Sequence, residues 1–292
     1  MASMRELKGR IESVHSSQKI TGAMKMISSA RLRKAENKLL QSAPYRRKLW
    51  EIYKHIRQSG YEYVSPWVAQ REVKKIALVV FASDDGLCGA FNINLFKQLV
   101  EAVHHWQAKD VQDIAVFAVG KKILFDVRRL KGIRLIDPPK SFEEKDYARA
   151  TRELADTLMD GFLSGEYDRV EVVYTFYKSI GTQLVRNRQF LPFVAETETE
   201  EPEVLKKEAW YIYEPDCQGV LEMMYPLLLH AAMHESFLQN RTSEQAARIL
   251  AMQLANDNAV KLLGKLQLEY NKLRQQGITT ELLDIAGGQR DL

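Results

Sequence analysis

The residues with the clearest potential for chemistry follow the first apolar run of the chain, at positions 83–92. Gly86 and Gly89 flank Cys88 there, between a predicted strand and a predicted helix. Such a turn can bind phosphate at the helix N-terminus, where a thiol also ionises more readily. However, the sequence contains neither G-x-x-x-x-G-K-[ST] nor G-x-G-x-x-G after a strand, and we find no His or Asn placed to assist Cys88. A tight turn with a packed cysteine is the simpler interpretation, and a nucleotide-binding module or enzyme is the alternative.

The histidines and cysteines give little indication of a metal site. His230 and His234 have the i, i+4 spacing that can hold zinc on a helix, but an H-E-x-x-H motif needs Glu where Ala231 stands. The two cysteines, Cys88 and Cys217, are too few for a disulfide scaffold or a four-thiolate zinc site. We therefore expect no metal, no cofactor and no catalytic residue.

Charge is unevenly distributed along the 292 residues. The whole chain has 42 Lys and Arg against 38 Asp and Glu, a net charge of +4. Residues 1–57 contain 14 Lys and Arg and four Glu, a balance of +10, whereas residues 196–208 contain six Glu and two Lys. A basic segment is typical of a solvated helix face, of nucleic-acid binding or of docking onto acidic proteins. Because zinc-finger, RNP and helix-turn-helix patterns are missing, we expect no nucleic acid as a partner. A basic coiled-coil scaffold for nucleic acid is kept as a further alternative.

The sequence predicts long helices at both ends of the chain, and these helices must position the charged segment and the candidate residues. Residues 1–60 are predicted to form one helix, with an apolar stripe that stops at His15 and resumes at Ile20. Its members are Met4, Leu7, Ile11, Val14, Ile20, Met24, Ile27, Ala30, Leu32, Ala35 and Leu39. Gly22 lies within this helix at a cost of about 1 kcal/mol relative to Ala.

The middle of the chain has a different pattern. Short apolar runs at 75–81, 114–119 and 170–174 predict buried strands, and the intervening stretches predict helices near 92–107 and 145–164. We therefore predict an α/β domain over residues 70–215, in which the acidic stretch is a surface loop. No apolar run reaches the roughly 18 residues of a membrane span, and the charged first residues do not resemble a signal peptide.

The C-terminal segment, residues 219–286, is predicted to be a coiled-coil helix, with Pro226 marking a kink or its true start. Asn256 lies on the seam and is of the type that fixes register. The seam residues are Ile249, Met252, Asn256, Ala259, Leu263, Leu266, Tyr270 and Leu273. We predict that the two terminal helices form a long antiparallel coiled coil with a Rossmann-like α/β domain inserted between them. The C-terminal helix is predicted to be the longer and to project, which would require another chain.

Four segments together resemble the gamma subunit of F-type ATP synthase. They are QKITGAMKM at 18–26, the D-x-G-L-C-G turn at 84–89, YEPD at 213–216, and a C-terminal series. That series comprises SEQAAR at 243–248, Met252, Asp257-Asn258, YNK at 270–272, RQ at 274–275 and ITTEL at 278–282. The resemblance covers essentially the whole chain and is densest in its first 40 and last 50 residues.

The resemblance implies a rotor shaft that performs no chemistry. Its coiled coil would stand inside a ring of three alpha and three beta subunits, and its α/β domain would contact the epsilon subunit and the ring of c subunits. Arg274 and Gln275 match residues that contact the beta catch loop. The helix surfaces implicated in coupling match Met24, Arg248, Thr279 and Glu281, and Tyr213 and Glu214 match the segment near the c ring and epsilon.

The sequence also departs from the family pattern. Gly22 stands where Lys is usual, which could soften the helix beside Met24, and Asp85 stands where a basic residue is usual. The tail at 287–292 is not the small, apolar ending of the family, and the redox insertion of chloroplast members is missing, so we expect no Cys88–Cys217 thiol switch. We expect a bacterial protein, peripheral on the cytoplasmic face of the plasma (inner) membrane.

Overall fold

A computed structural model describes residues 4–58, 65–194, 213–214 and 216–288. The chain divides into two compact units. The coiled-coil unit consists of the chain up to Arg31 and from Arg248 onward, and the sheet unit is Leu32–Ala247. The helices are α1 Met4–Gln58, α2 Phe91–Gln107, α3 Lys121–Val127, α4 Tyr147–Leu163 and α5 Cys217–Gly288, with a 3-10 turn at Lys140–Phe142. The strands are β1 Lys75–Phe81, β2 Asp113–Val119, β3 Arg134–Ile136, β4 Arg169–Ser179 and β5 Thr182–Leu191.

In the coiled-coil unit, α1 and α5 run antiparallel. Lys25 hydrogen-bonds to Gln253, while Gly22, one turn earlier in α1, faces Asn256, one turn later in α5. The predicted antiparallel coiled coil of the two terminal helices is therefore confirmed.

The predicted stripe of α1 is wrong at four positions, because Met4, Ile20, Ile27 and Ala30 are exposed. It is confirmed at Leu32, which is buried, and at half-buried Met24, Ala35 and Leu39. The less exposed face also contains the polar residues Gln18, Thr21, Lys25 and Ser28. These polar residues follow Val14 at the helical period of 3.6, so Ile20 and Ile27 fall on another face.

The sheet unit contains one five-stranded sheet in the order β3-β2-β1-β4-β5. The first four strands are parallel, and β5 pairs antiparallel with β4. Central β1 is buried on both faces because helices cover both, which explains its continuous apolar sequence. The predicted Rossmann-like α/β fold is confirmed.

Alternate residues of β1 contribute to different cores. Ile76, Leu78 and Val80 pack with α2 and α3, whereas Ala77, Val79 and Phe81 pack with α4 and with parts of both long helices. The second core contains Tyr53, Ile56, Leu154, Phe162, Tyr225 and Phe237. The sheet unit is thus a three-layer arrangement in which α1 and α5 contribute directly to one core.

The long C-terminal helix begins earlier than Pro226. Asp216 precedes the helix, and its carboxylate accepts a hydrogen bond from the Gly219 N–H at 2.7 Å. This is the arrangement of an N-cap, which satisfies a backbone donor of the first turn, so the helix starts at Cys217 and includes Pro226. The divisions at 1–60, 70–215 and 219–286 stay a prediction, because the two compact units cut both long helices.

Within the described ranges, every helix is too short or too polar to cross a membrane.

Candidate functional site

The seam predicted in α5 lies in its less exposed positions. Ile249, Met252 and Leu266 are buried, and the other five seam residues are half-buried. Residues between them from 260 to 272, such as Leu262 and Leu268, are mostly exposed. Burial therefore recurs along this helix with the three-and-four spacing of a coiled coil.

A polar connection crosses the two helices of the coiled-coil unit. The Lys25 ammonium donates to the side-chain oxygen of Gln253, and the Gln253 amide donates to Asp257 at 2.8 Å. Gly22 lies beside this connection. If Gly22 were an alanine, its Cβ would lie 3.9 Å from the Asn256 Oδ1 atom. Asn256 on the seam was the sequence signal for a polar layer, but its extension to Lys25, Gln253 and Asp257 was missed.

The residues assigned to partner contacts differ in exposure. Arg274, Gln275, Thr279 and Glu281 are exposed on α5, where the Thr279 hydroxyl donates to the Gln275 carbonyl at 2.9 Å. These four residues are available to another chain. Arg248, in contrast, is only 2% exposed.

Three further assigned residues are Met24, Tyr213 and Glu214. Met24 is half-buried in the coiled-coil unit. Tyr213 and Glu214 precede α5 in the sheet unit, where Tyr213 packs against the core and Glu214 is exposed. The assigned residues are therefore divided between the two units.

Both helices of the coiled-coil unit also expose apolar side chains. Because these residues lie off the seam, pairing of α1 with α5 does not bury them. They are Met4, Ile20, Met26, Ile27, Leu250, Leu254, Val260, Leu262, Leu268, Ile278, Leu282 and Leu283. Exposed apolar surface of this extent is typical of a protein interface.

The turn after β1 is occupied by its own side chains. The Ser83 N–H donates to Asn92 Oδ1 at 3.1 Å, and the Lys121 N–H donates to Asp84 Oδ1 at 3.3 Å. Asn92 Nδ2 also donates to the sulfur of buried Cys88 at 3.5 Å, a contact that sequence reasoning missed. These contacts use backbone donors that a bound phosphate would need, and they favour a packed turn.

The two helical histidines have separate partners. His230 Nε2 lies 2.6 Å from an Asp156 oxygen, and His234 Nδ1 lies 2.9 Å from the Thr151 hydroxyl. Burial, and then the positive charge of Lys38, lower the pKa of His234. Among the residues that the structure describes, no group of three or more His, Cys, Asp or Glu could hold a metal ion.

Comparisons with known proteins agree with one another. A family model described as ATP synthase matches residues 3–292. The ATP synthase gamma chain of Bacteroides thetaiotaomicron is 40% identical over 99% of both chains, and that of Flavobacterium johnsoniae is 37% identical over 100% of this chain and 99% of its own. Among solved structures, a chain of the Euglena gracilis mitochondrial ATP synthase rotor has a TM-score of 0.60 and 20% identity, covering 94% of this chain and 98% of its own. This structural likeness concerns the fold.

Proposed function

Because the chain belongs to the ATP synthase gamma chain family, we propose that it is the central-stalk rotor subunit of a bacterial F-type ATP synthase. In this role it transmits rotation between proton flow through the membrane sector and ATP synthesis or hydrolysis at the beta-subunit sites, and so regulates both. It is a non-catalytic subunit, peripheral on the cytoplasmic face of the inner membrane. The similarity to gamma chains over nearly the full length supports the whole role.

One structural observation carries this proposal. The coiled-coil unit buries a seam between α1 and α5 and still exposes apolar side chains on both helices, among them Ile20, Met26 and Leu268. A helix pair with a buried seam is stiff enough to act as a shaft, and its apolar outer faces are of the kind that a surrounding ring of three alpha and three beta subunits would cover.

The assigned residues fit separate duties on this shaft. Arg274 and Gln275, both exposed near the C-terminal end of α5, are proposed to contact the beta catch loop. Met24, Thr279 and Glu281 are proposed to form the coupling surface, and Arg248, which is only 2% exposed, is proposed to support that surface from within the chain. In the sheet unit, Tyr213 and Glu214 are proposed to contact the c ring and the epsilon subunit.

Coupling follows from the asymmetry of such a shaft. Three identical beta subunits would each face a different side of the helix pair, so each would be stabilised in a different conformation by differential binding. The net charge of +10 in residues 1–57 adds contacts to acidic loops, and each exposed ion pair contributes only about 0–1 kcal/mol. Weak contacts of this kind allow the shaft to turn without stalling.

Reconstitution with cognate alpha and beta subunits tests the proposal. The full chain is expected to yield a stable complex with cooperative ATPase activity, and addition of epsilon and the membrane sector is expected to yield ATP-driven proton pumping. The double variant Arg274→Ala/Gln275→Ala should reduce activity, and the matched exposed pair Lys272→Ala/Gln276→Ala should not. A chain that fails to assemble with the cognate subunits refutes the proposal.

Calorimetry separates this function from that of a nucleotide-binding module. The purified chain should show no ATP or ADP binding at micromolar concentrations, since Asn92 and Asp84 already accept from the backbone N–H groups of Ser83 and, at the start of α3, of Lys121. Micromolar binding by the isolated chain would favour the alternative.

A further inference from the structure

The distal part of β4 extends beyond its pairing with β1. β1 pairs with β4 from Arg169 to Val173, whereas β5 pairs with β4 as far as Ser179. From Thr175 onward, β4 therefore has a strand on its β5 side and needs another partner on its opposite edge. Buried backbone groups on such an edge are destabilising unless they are hydrogen-bonded.

Side chains of α5 take the place of the missing strand. The Thr175 N–H donates to Asn240 Oδ1 at 3.0 Å, and the Tyr177 N–H donates to Gln239 Oε1 at 3.1 Å. The Ser243 hydroxyl donates to the Thr175 carbonyl at 3.0 Å. The two amide donors are two residues apart, which is the repeat at which backbone groups point to the same edge of a strand.

This contact is shielded from water and is extended to the other long helix. Thr175, Asn240 and Ser243 are all buried. The Tyr177 hydroxyl donates to a Glu36 carboxylate oxygen at 2.6 Å, so the same stretch of β4 is bonded to α1 as well. Apolar packing alone is non-directional, whereas hydrogen bonds with fixed partners define the register between strand and helix.

We propose that Gln239, Asn240 and Ser243 form a clamp that fastens distal β4 to α5 and carries torque between the sheet and this helix. The proposal rests on the rotor function proposed above and assigns to that rotor a place where load enters the shaft. The three side chains are positioning residues. They act by preventing the strand from slipping along the helix when the two are driven against each other.

Matched substitutions isolate the clamp. Ser243→Ala removes the bond to the Thr175 carbonyl, and Ser243→Thr retains a hydroxyl and should restore it. Gln239→Leu removes the acceptor for the Tyr177 N–H, and Gln239→Glu keeps an acceptor. The control is Ser236→Ala, because buried Ser236 donates to the Ala232 carbonyl within α5.

Hydrogen exchange measures whether the clamp holds the strand. In the purified full chain, peptides covering residues 174–179 are followed by mass spectrometry. Gln239→Leu should accelerate exchange there by about tenfold, the effect of losing one partly buried hydrogen bond, while Gln239→Glu and Ser236→Ala should match the wild type. Unchanged exchange in Gln239→Leu would overturn the clamp.

The ratio of ATP-driven proton pumping to ATP hydrolysis measures whether the clamp carries torque. In the assembled complex, Ser243→Ala and Gln239→Leu should lower this ratio by about twofold or more, with rescue by Ser243→Thr and Gln239→Glu. Faster exchange with a ratio equal to that of Ser236→Ala would show a merely structural clamp and overturn the proposal. If the wild-type chain forms no pumping complex, the proposed rotor function fails instead, and the exchange measurement distinguishes that failure from a failure of the clamp.

Discussion

Replacing Gly22 by alanine should stabilise the coiled-coil unit. Gly22 lies inside α1, where glycine costs about 0.8–1.0 kcal/mol relative to alanine because its backbone loses more freedom on folding. Among the described residues outside the neighbouring backbone of α1, the atom within 4 Å of the added Cβ is Asn256 Oδ1, at 3.9 Å. This is an ordinary van der Waals distance, so no steric cost offsets the gain. The expected effect is an increase of about 1 kcal/mol in the free energy of unfolding.

Two further glycines provide matched controls for Gly22→Ala. Gly161 is also helical, in α4, but an added Cβ would lie 2.6 Å from Cε2 of the Tyr167 ring. Gly161→Ala should therefore destabilise the chain, because the buried ring must move. Gly264→Ala in α5 should stabilise by about the same amount as Gly22→Ala, since in the described part of the chain no atom beyond the neighbouring backbone of α5 lies within 4 Å of its added Cβ.

Thermal unfolding of the purified full chain, followed by circular dichroism at the helical band, measures these effects. Gly22→Ala should raise the midpoint by about 2–4 °C, the shift expected for 1 kcal/mol in a chain of this size. A lowered midpoint for Gly22→Ala would refute the reasoning from helix propensity. Equal gains for Gly22→Ala and Gly161→Ala would refute the reasoning from steric contact.

Three further predictions concern burial and titration. Leu266→Ala should cost about 2–4 kcal/mol of stability and Leu268→Ala less than about 0.5 kcal/mol in urea unfolding, because these seam and surface residues are 7% and 72% exposed. Because the pKa of His234 is lowered in the folded chain, the unfolded chain protonates this side chain more readily. The stability gained by burying the neutral imidazole is therefore present above pH 6.5 and is lost as the pH falls below that value. His234→Gln should flatten this loss in melting curves. Burial and the hydrogen bond to Glu36 raise the pKa of Tyr177 from 10.0 to about 12. The folded chain should therefore lose stability as the pH rises from 10.0 to about 12, and Tyr177→Phe should abolish this loss in urea unfolding.

The strands that sequence reasoning found are the ones that are buried on both faces. β1, β2 and the first part of β4 are continuous apolar runs and were predicted within a residue or two. β3 has only three residues. β5 is an edge strand whose first eight residues are exposed or half-buried and mostly polar, among them Gln183, Arg186 and Asn187. An edge strand needs little apolar sequence because it is partly solvated, so composition gave no signal for β5.

The residues proposed to contact partners were assigned through family resemblance alone. Periodicity identifies the α5 seam, but it gives exposed residues such as Arg274 and Gln275 no signal that separates them from their solvated neighbours. The clamp was likewise invisible, because Asn240 and Ser243 bond to the backbone of Thr175, and any residue but proline would offer the same N–H and carbonyl. Contacts between a side chain and a distant backbone leave no pattern in one sequence.

The error in the α1 stripe has an informative physical cause. A helix that packs only against its own chain concentrates apolar residues on one face, so reading the apolar residues locates that face. In α1 the less exposed side combines apolar Leu7, Val14 and Met24 with polar Gln18, Thr21 and Lys25, while Ile20 and Ile27 are exposed. This mixture is expected of a shaft, whose inner contact needs specific polar partners to fix register and whose outer contacts must be broad and non-directional to permit rotation. The residues that misled the prediction are therefore the ones that a surrounding ring would contact.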